Sequence, residues 1–413
     1  MVMKRAVLIL CVVLLLSSLI GVPASAAPSI HAQAAIVLDF ETGDILFERD
    51  AHTMRVPASM TKLVTAFIVY EEIAAGRLTM DTMIPISRNA ARVGSDRNLQ
   101  GNPVPLPSSA YSVDHLLHLL MLPSSNGGCI AFAEHISGSV EAFVVLMNET
   151  GKSIGMKTEF TNPHGAIAHY TTAHSMGILT REFISKYPDI LRISAAKSMT
   201  HEGATLNNTN FLLHDGSQFY QGADGFKTGT IRESGFCLSS TAERDGRRVI
   251  VVVMNTQNND QRYGDSRTLL NFGFAELARK DAEKTRRDAE LAKIEAERIK
   301  VILDDVHMEF DVDPQMVNDR TMVPMRAIFE AFGAQVEWED ATKTITALTP
   351  DEDVIVLRIG SRTIEVNGVS SEIDVAPFIV NSRTLVPAKF VAEAMGATVD
   401  WDGATRTVII KTT

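Results

Sequence analysis

Two short alternating runs, Ala35 to Asp39 and Ile45 to Glu48, flank the polar tetrad Glu41-Thr42-Gly43-Asp44. That pattern predicts a β-hairpin with one buried face. From Met60 to Ile73 the chain is apolar on nearly every face, which places a helix inside a domain, not on its surface; Gly76 is a fitting stop. A loop at Pro123–Gly128 comes before a second apolar helix, and Asp224–Thr230 precedes the strand-like stretch Gly235–Thr241. Near Phe274 the pattern changes. Ala275–Lys300 is rich in Ala, Glu, Lys and Arg and has neither Gly nor Pro, and Glu276/Lys280 and Glu283/Arg287 stand at helical i,i+4 spacing. Its apolar positions Leu277, Leu291 and Ile294 are too sparse for a heptad seam. The expectation is one exposed spacer helix about 40 Å long.

Beyond the spacer the chain repeats itself. Arg320-Thr-Met-Val-Pro-Met-Arg326 returns as Arg383-Thr-Leu-Val-Pro-Ala-Lys389, and Phe332-Gly-Ala-Gln-Val-Glu-Trp338 returns as Met395-Gly-Ala-Thr-Val-Asp-Trp401, both at an offset of 63 residues. One offset shared by two separate blocks marks a duplicated unit. Each copy has Pro at a helix start (Pro324, Pro387), a short amphipathic helix, a Gly stop (Gly333, Gly396) and then an alternating strand, so the module is small and α+β.

Length and composition then bound the answer. At 413 residues the chain exceeds one ordinary domain, and with 45% hydrophobic and 22% charged residues it reads as globular. Lys4 and Arg5, an apolar run from Ala6 to Ile20 and the small residues Ala24-Ser25-Ala26 form a secretory leader, with cleavage expected after Ala26. Its apolar run is shorter than the roughly 20 residues a bilayer span requires. The formal charge of −11 becomes −13 once Lys4 and Arg5 leave with the leader. Nucleic acid is therefore an unsuitable partner, and bulk charge would not hold the protein to anionic wall polymers. Cys129 and Cys237, the thiols left after Cys11 is removed, sit in apolar segments and read as buried and unpaired rather than as a disulfide.

The chemistry concentrates in three short segments. On a helix Ser59 and Lys62 are three positions apart and share a side, their Cβ atoms about 5–6 Å apart. A serine hydroxyl needs a base before it attacks, and a lysine in an apolar setting can give up its charge to become one. Ser59 also sits at a helix start, where backbone amides favour developing negative charge. Alone, Ser-x-x-Lys is common on surfaces. Here it is followed by Pro123-Ser124-Ser125-Asn126-Gly127-Gly128 and by Asp224-Gly-Phe-Lys227-Thr228-Gly229-Thr230.

Ser-x-x-Lys, Ser-x-Asn and Lys-Thr-Gly in that order are the signature of penicillin-recognising serine enzymes. Over about residues 30 to 275 the chain resembles the low-molecular-mass D-alanyl-D-alanine carboxypeptidases, with Phe143–Asn148, Gly155-Met156, Asn162-Pro-His-Gly165, His169–Thr172 and Asn208-Thr-Asn210 as further landmarks. The resemblance implies a β-lactamase/transpeptidase-like α+β domain: an antiparallel sheet, flanking helices and a buried central helix. It implies that Ser59 attacks the D-Ala-D-Ala carbonyl, that Lys62 takes its proton and that Ser124 relays a proton to the departing D-alanine. Asn126 would bond the peptide, Lys227 with the hydroxyls of Thr228 and Thr230 would hold the terminal carboxylate, and Gly229 would let the strand come close. The amides of Ser59 and Thr230 would hold the oxyanion. No cofactor is implied, and β-lactams would act as covalent inhibitors. Ser125, Gly127-Gly128 and Ala173-His174 depart from the usual family neighbours, but none is a motif position.

The expected organisation is a leader (1–26), a peptidase domain (27–275), a charged helical linker (276–300) and a repeat domain (301–413). The repeat domain resembles the stalk domain named after the N-terminus of copper amine oxidases, which is often attached to exported Gram-positive enzymes. Copper does not follow from that name, because His307 is the only histidine there and no cluster has ligand spacing. The sequence does not give this domain's role; contact with the cell wall is one that is open to it. His164, in a turn-like loop, reads as structural since Lys62 already fills the base role. Two alternatives stand beside the carboxypeptidase. One is a β-lactamase, although no Glu-x-x-x-Asn lies suitably between Ile130 and Gly225. The other is a wall-binding scaffold with an idle peptidase domain.

Overall fold

A computed structural model describes residues 26–99 and 104–412; the leader and its cleavage site lie almost wholly outside the described residues. The chain divides into two compact units, one up to Glu283 and one from Lys284.

The first unit is built on a five-stranded sheet with the order β2-β1-β5-β4-β3. Its strands are β1 (Ala34–Asp39), β2 (Ile45–Arg49), β3 (Ala223–Ile231), β4 (Gly235–Arg244) and β5 (Arg247–Thr256), and every neighbouring pair is antiparallel. The unbroken apolar run Val249–Met254 of β5 pairs with β1, Ile36 opposite Val252 and Val37 opposite Val251. Such a run needs cover on both faces, and it has it. Ile36, Leu38, Ile250 and Val252 join a helical core with Leu63, Phe67 and Phe183, while Val37, Val249 and Val251 pack with Tyr263, Leu269 and Leu270 on the other side.

Helix α1 (Lys62–Ala74) lies in that helical core, and its residues Lys62 to Tyr70 are all buried. It packs against Val113–Met121, Val140–Ser153, Ala173–Lys186 and α2 (Asn126–Ser137). Aromatic rings set edge-on fasten these parts together: Phe183 lies 5.4 Å from Phe67 of α1 and 5.6 Å from Phe226 of β3, centroid to centroid.

The charged helix differs in extent from the expected spacer. As α3 it runs from Asn259 to Glu297 without a break, so it begins well before the change in composition. Leu269, Leu270 and Leu277 are buried on it, whereas residues 281–297 are all exposed. The compositional edge near Phe274 marks where burial stops rather than where an element starts. Strand structure resumes at Lys300.

In the second unit the duplicated sequence becomes a duplicated structure. Hairpin β6 (Gln315–Val317) with β7 (Arg320–Pro324), helix α4 (Met325–Ala331) and hairpin β8 (Gln335–Glu339) with β9 (Thr344–Leu348) make the first copy. The second copy is β10 (Phe378–Val380), β11 (Arg383–Pro387), α5 (Ala388–Ala394), β12 (Thr398–Asp402) and β13 (Thr407–Lys411). The copies meet through β7 and β11, which pair antiparallel with Val323 opposite Val386. Those two residues are 63 apart, so a pseudo-two-fold axis passes between them. The duplication extends further upstream than the two repeated blocks indicate. Arg320 pairs with Asp374 at 2.5 Å and Arg383 with Asp311 at 2.7 Å, and Asp311 and Asp374 also stand 63 apart. Strands Val354–Arg358, Thr363–Val366 and Val369–Glu372 extend the β8–β9 sheet to five. Among the described residues no single helix is long and apolar enough to cross a membrane.

Phe183 is fully buried, so Phe183→Ala should cost about 3–5 kcal/mol. Urea unfolding followed on the first unit should show an earlier midpoint; an unchanged midpoint would contradict this account of the core.

Candidate active site

Ser59 does not lie in α1 itself. It sits in a single 3-10 turn, Ala58–Thr61, that leads into Lys62. In a 3-10 turn residues three apart are eclipsed, so the pair shares a side as the spacing required. Lys62 Nζ donates to Ser59 Oγ at 2.9 Å, to Asn126 Oδ1 at 2.9 Å and to the His164 carbonyl at 2.6 Å. The side chain is fully buried, and burial pulls its pKa down to about 8. An ammonium in this position uses all three of its protons. It holds its charge through those bonds and loses it readily because water is excluded.

The other motif residues come to the same place. Ser125 caps α2, its hydroxyl accepting from the Gly128 amide, and this sets Asn126 at the helix start facing Lys62. Ser124 has a left-handed backbone (φ 74°), and its buried hydroxyl has no hydrogen-bond partner in the protein. Ala58, before Ser59, is left-handed too (φ 49°). Non-glycine residues held this way persist only where the surroundings enforce them.

Lys227, Thr228, Gly229 and Thr230 precede the expected strand, β4, and are themselves part of another, β3, that pairs with it. A Cβ on Gly229 would stand 2.4 Å from the Pro57 carbonyl oxygen, so β3 lies directly against the turn that carries Ser59. Lys227 is fully buried, and its Nζ makes one long bond, 3.3 Å to the Thr228 carbonyl. Burial and then the neighbouring Lys62 charge hold its pKa far below the ordinary lysine range. Thr230 is exposed.

Three residues around the site carried no signal in the pattern of apolar positions. Thr209, noted only as part of a landmark, bonds the Thr228 hydroxyl at 2.6 Å and the Leu122 carbonyl at 3.2 Å, so it ties the Ser124 loop to β3. Arg262 donates to Thr230 Oγ1 at 3.0 Å and to the Tyr263 hydroxyl at 3.0 Å, and Tyr263 in turn donates to the Thr209 carbonyl at 2.7 Å. The guanidinium of Arg262 is largely buried, and burial lowers its pKa. Nothing local in the sequence separates this arginine from a solvated one.

His164 and His169 are structural. His164 Nδ1 accepts from the Ala166 amide at 3.0 Å, while its carbonyl receives Lys62. His169 Nδ1 lies against the Asn162 amide group and the Thr161 N–H, both donors, so Nε2 carries the proton and donates to Thr61 Oγ1 at 2.7 Å. Burial lowers the two pKa values to about 3 and about 4. Both rings are neutral at physiological pH. A Cβ on Gly165, at φ 75°, would come 2.0 Å from the Ala58 carbonyl oxygen. Cys129 and Cys237 are buried and unpaired, and burial raises each thiol to about 11. Among the described residues no group of His, Cys, Asp or Glu is placed to hold a metal ion.

Residues 22–258 match the D-alanyl-D-alanine carboxypeptidase family, and residues 302–410 match the copper amine oxidase N-terminal domain. D-alanyl-D-alanine carboxypeptidase DacF of Bacillus subtilis is 31% identical over 254 residues, covering 60% of this chain and 63% of its own length. The chain thus spans less than two thirds of that relative. The crystal structure of the peptidoglycan synthesis regulatory factor PBP3 from Streptococcus pneumoniae superposes with a TM-score of 0.57 at 29% identity, covering 60% of this chain and 72% of that one. Penicillin-binding protein D2 from Listeria monocytogenes in its ampicillin-bound form gives 0.53 at 29% identity, covering 60% of this chain and all of that one.

Two outcomes follow from the geometry. Gly165→Ala should displace the Ser59 turn and lower the rate of Ser59 modification by a labelled penicillin by at least about tenfold in folded protein, because the backbone cannot absorb the overlap. Equal labelling of variant and parent would show that the loop does not set the turn. The same labelling rate in the parent should hold steady just below pH 8 and fall about tenfold per pH unit above it, as the one proton that Lys62 keeps, and that a docked carboxylate needs at Lys227, is lost. A rate that goes on rising through pH 8 would show that the two lysines do not share that proton.

Proposed function

Because the chain belongs to the D-alanyl-D-alanine carboxypeptidase family, we propose that it removes the terminal D-alanine from peptidoglycan stem peptides through an acyl-enzyme at Ser59. The observation that carries this reading is the fully buried Lys62 amine, 2.9 Å from the Ser59 hydroxyl and next to the strand bearing Lys227.

The peptide's terminal carboxylate docks at Lys227 with the hydroxyls of Thr228 and Thr230, and Arg262 adds a second positive charge behind Thr230. Lys62 has three acceptors and Lys227 has one weak one. An arriving carboxylate reverses the balance: it stabilises charge on Lys227, and that charge, so close in a dry site, drives the proton off Lys62. Substrate binding thereby prepares the base. Ser59 Oγ attacks the carbonyl of the D-Ala-D-Ala bond as its proton passes to Lys62, and the oxyanion rests on backbone amides at Ser59 and Thr230. The unpartnered hydroxyl of Ser124 passes a proton to the leaving amine of D-alanine and takes back from Lys62 the one that Ser59 gave up. Water then hydrolyses the ester and frees Ser59. Asn126, already bonded to Lys62, holds the peptide amide.

The reaction belongs on the outer side of the cytoplasmic membrane, reached by export with the leader 1–26, in a Gram-positive cell. β-Lactams enter as substrate analogues and remain as esters on Ser59. The duplicated C-terminal unit is the part suited to contact with the wall.

Mass spectrometry of protein treated with penicillin should find one added drug mass on the peptide containing Ser59, and a peptide ending in D-Ala-D-Ala should release one equivalent of D-alanine. Ser59→Ala and Lys62→Ala should each abolish both. Well-folded protein that does neither would overturn the proposal, and rapid turnover of free penicillin would make it a β-lactamase instead.

A further inference from the structure

The second unit exposes both tryptophans of the chain, Trp338 and Trp401, at positions related by the repeat. Each lies in a groove assembled across the pseudo-two-fold axis. In one, Trp401 of β12 and the start of α5 face Met316 and Arg320 of the opposite copy's hairpin, around about 510 Å³. In the other, Trp338 of β8 and the start of α4 face Ile379 and Arg383, around about 830 Å³. Met316 and Ile379 are again 63 apart, and both are exposed like the indoles. One copy alone could build neither groove.

The charges in the grooves decide what fits them. Arg320 and Lys389 in the first are held by Asp374 and Glu393, and Arg383, Arg326 and Lys343 in the second by Asp311, Glu330 and Asp340. These cations are already neutralised. From Val301 to Thr413 the chain carries 19 acidic and nine basic side chains, a field that repels anionic polymers. What remains is a flat aromatic face bordered by ion pairs that can both donate and accept hydrogen bonds, with the carboxylates of Asp319 and Asp400 in the first groove and of Glu309 in the second as further acceptors, the surroundings an uncharged sugar ring needs for its C–H face and its hydroxyls. Two such sites, on two sheets of the same folded unit, suit a polymer of repeating units, which can occupy both and gain from the second.

We propose that these grooves are a pair of binding sites for an uncharged amino-sugar glycan chain, one on Trp401 and one on Trp338. The choice of glycan rests on the wall-directed reading above. The two sites are unequal. Lys343 Nζ lies 5.8 Å over the Trp338 ring, whereas its repeat counterpart Arg406 donates to the Glu297 carbonyl instead. Trp401 therefore presents the freer face and is the stronger site.

Since these are the only tryptophans, indole emission of the whole protein reports on nothing else. Titration with oligomers of N-acetylglucosamine should shift that emission to saturation. By calorimetry Trp401→Ala should weaken binding by about tenfold or more, Trp338→Ala by less, and Trp401→Phe should retain most of it. Retention on purified wall should fall in the double Ala variant and survive removal of anionic polymers from the wall. No emission change with the oligomers, equal retention of the double variant, or retention that depends on the anionic polymer or on a bound protein would each overturn the proposal. Penicillin labelling of Ser59 in the same samples keeps the two readings apart: labelling without glycan binding defeats this inference alone, and glycan binding without labelling defeats the peptidase alone.

Discussion

The site depends on holding one amine out of water without stranding it. Burying a charged lysine costs several kcal/mol unless hydrogen bonds compensate, and Lys62 has three acceptors, from its own turn, from α2 and from the Asn162–Gly165 loop. Those acceptors come from three distant parts of the chain. Each of those parts is fixed in turn: Asn126 by the Ser125 cap, the loop by Asn162 and by Thr65 bonding the Pro163 carbonyl, the turn by Thr61 and His169. Two of the left-handed non-glycine residues, Ala58 and Ser124, stand beside the atoms that this arrangement brings together.

A second buried lysine, Lys227, shares the cleft with the first. Two ammonium groups in one dry cleft cannot both keep their protons cheaply, and Lys227 is the poorer in partners. An anion docked between them would settle which one is charged. The Thr209–Tyr263–Arg262 chain links the walls that would receive it, joining the Ser124 loop, β3 and the first turn of α3. It makes the helix that leads out of the first unit a part of the site as well as a connection.

In the second unit duplication does similar structural work by other means. The reciprocal pairs Arg320–Asp374 and Arg383–Asp311, and the β7–β11 pairing, make each copy complete the other. Strands added after β9 belong to one copy only, and this is where the pseudo-symmetry ends.

The amino-acid sequence by itself determined the hairpin, the buried helix, the repeat period and the residue types able to do the chemistry, because each is written in local spacing or order. Ser59 and Lys62 were legible for that reason. It also showed where charge density rises near Phe274, but not that α3 had begun at Asn259, since Arg262, Tyr263 and Leu269 carry no periodic mark of the face they bury. Only the tertiary structure decided that Ser59 rides a 3-10 turn, that Lys227 to Thr230 lie within a strand, and that Thr209, Arg262 and the His164 carbonyl complete the cleft. The physical reason is common to all three. Hydrogen bonds between residues 19 to 102 positions apart leave no trace in neighbouring spacing; they exist once packing has excluded water and left each buried polar atom in need of a partner.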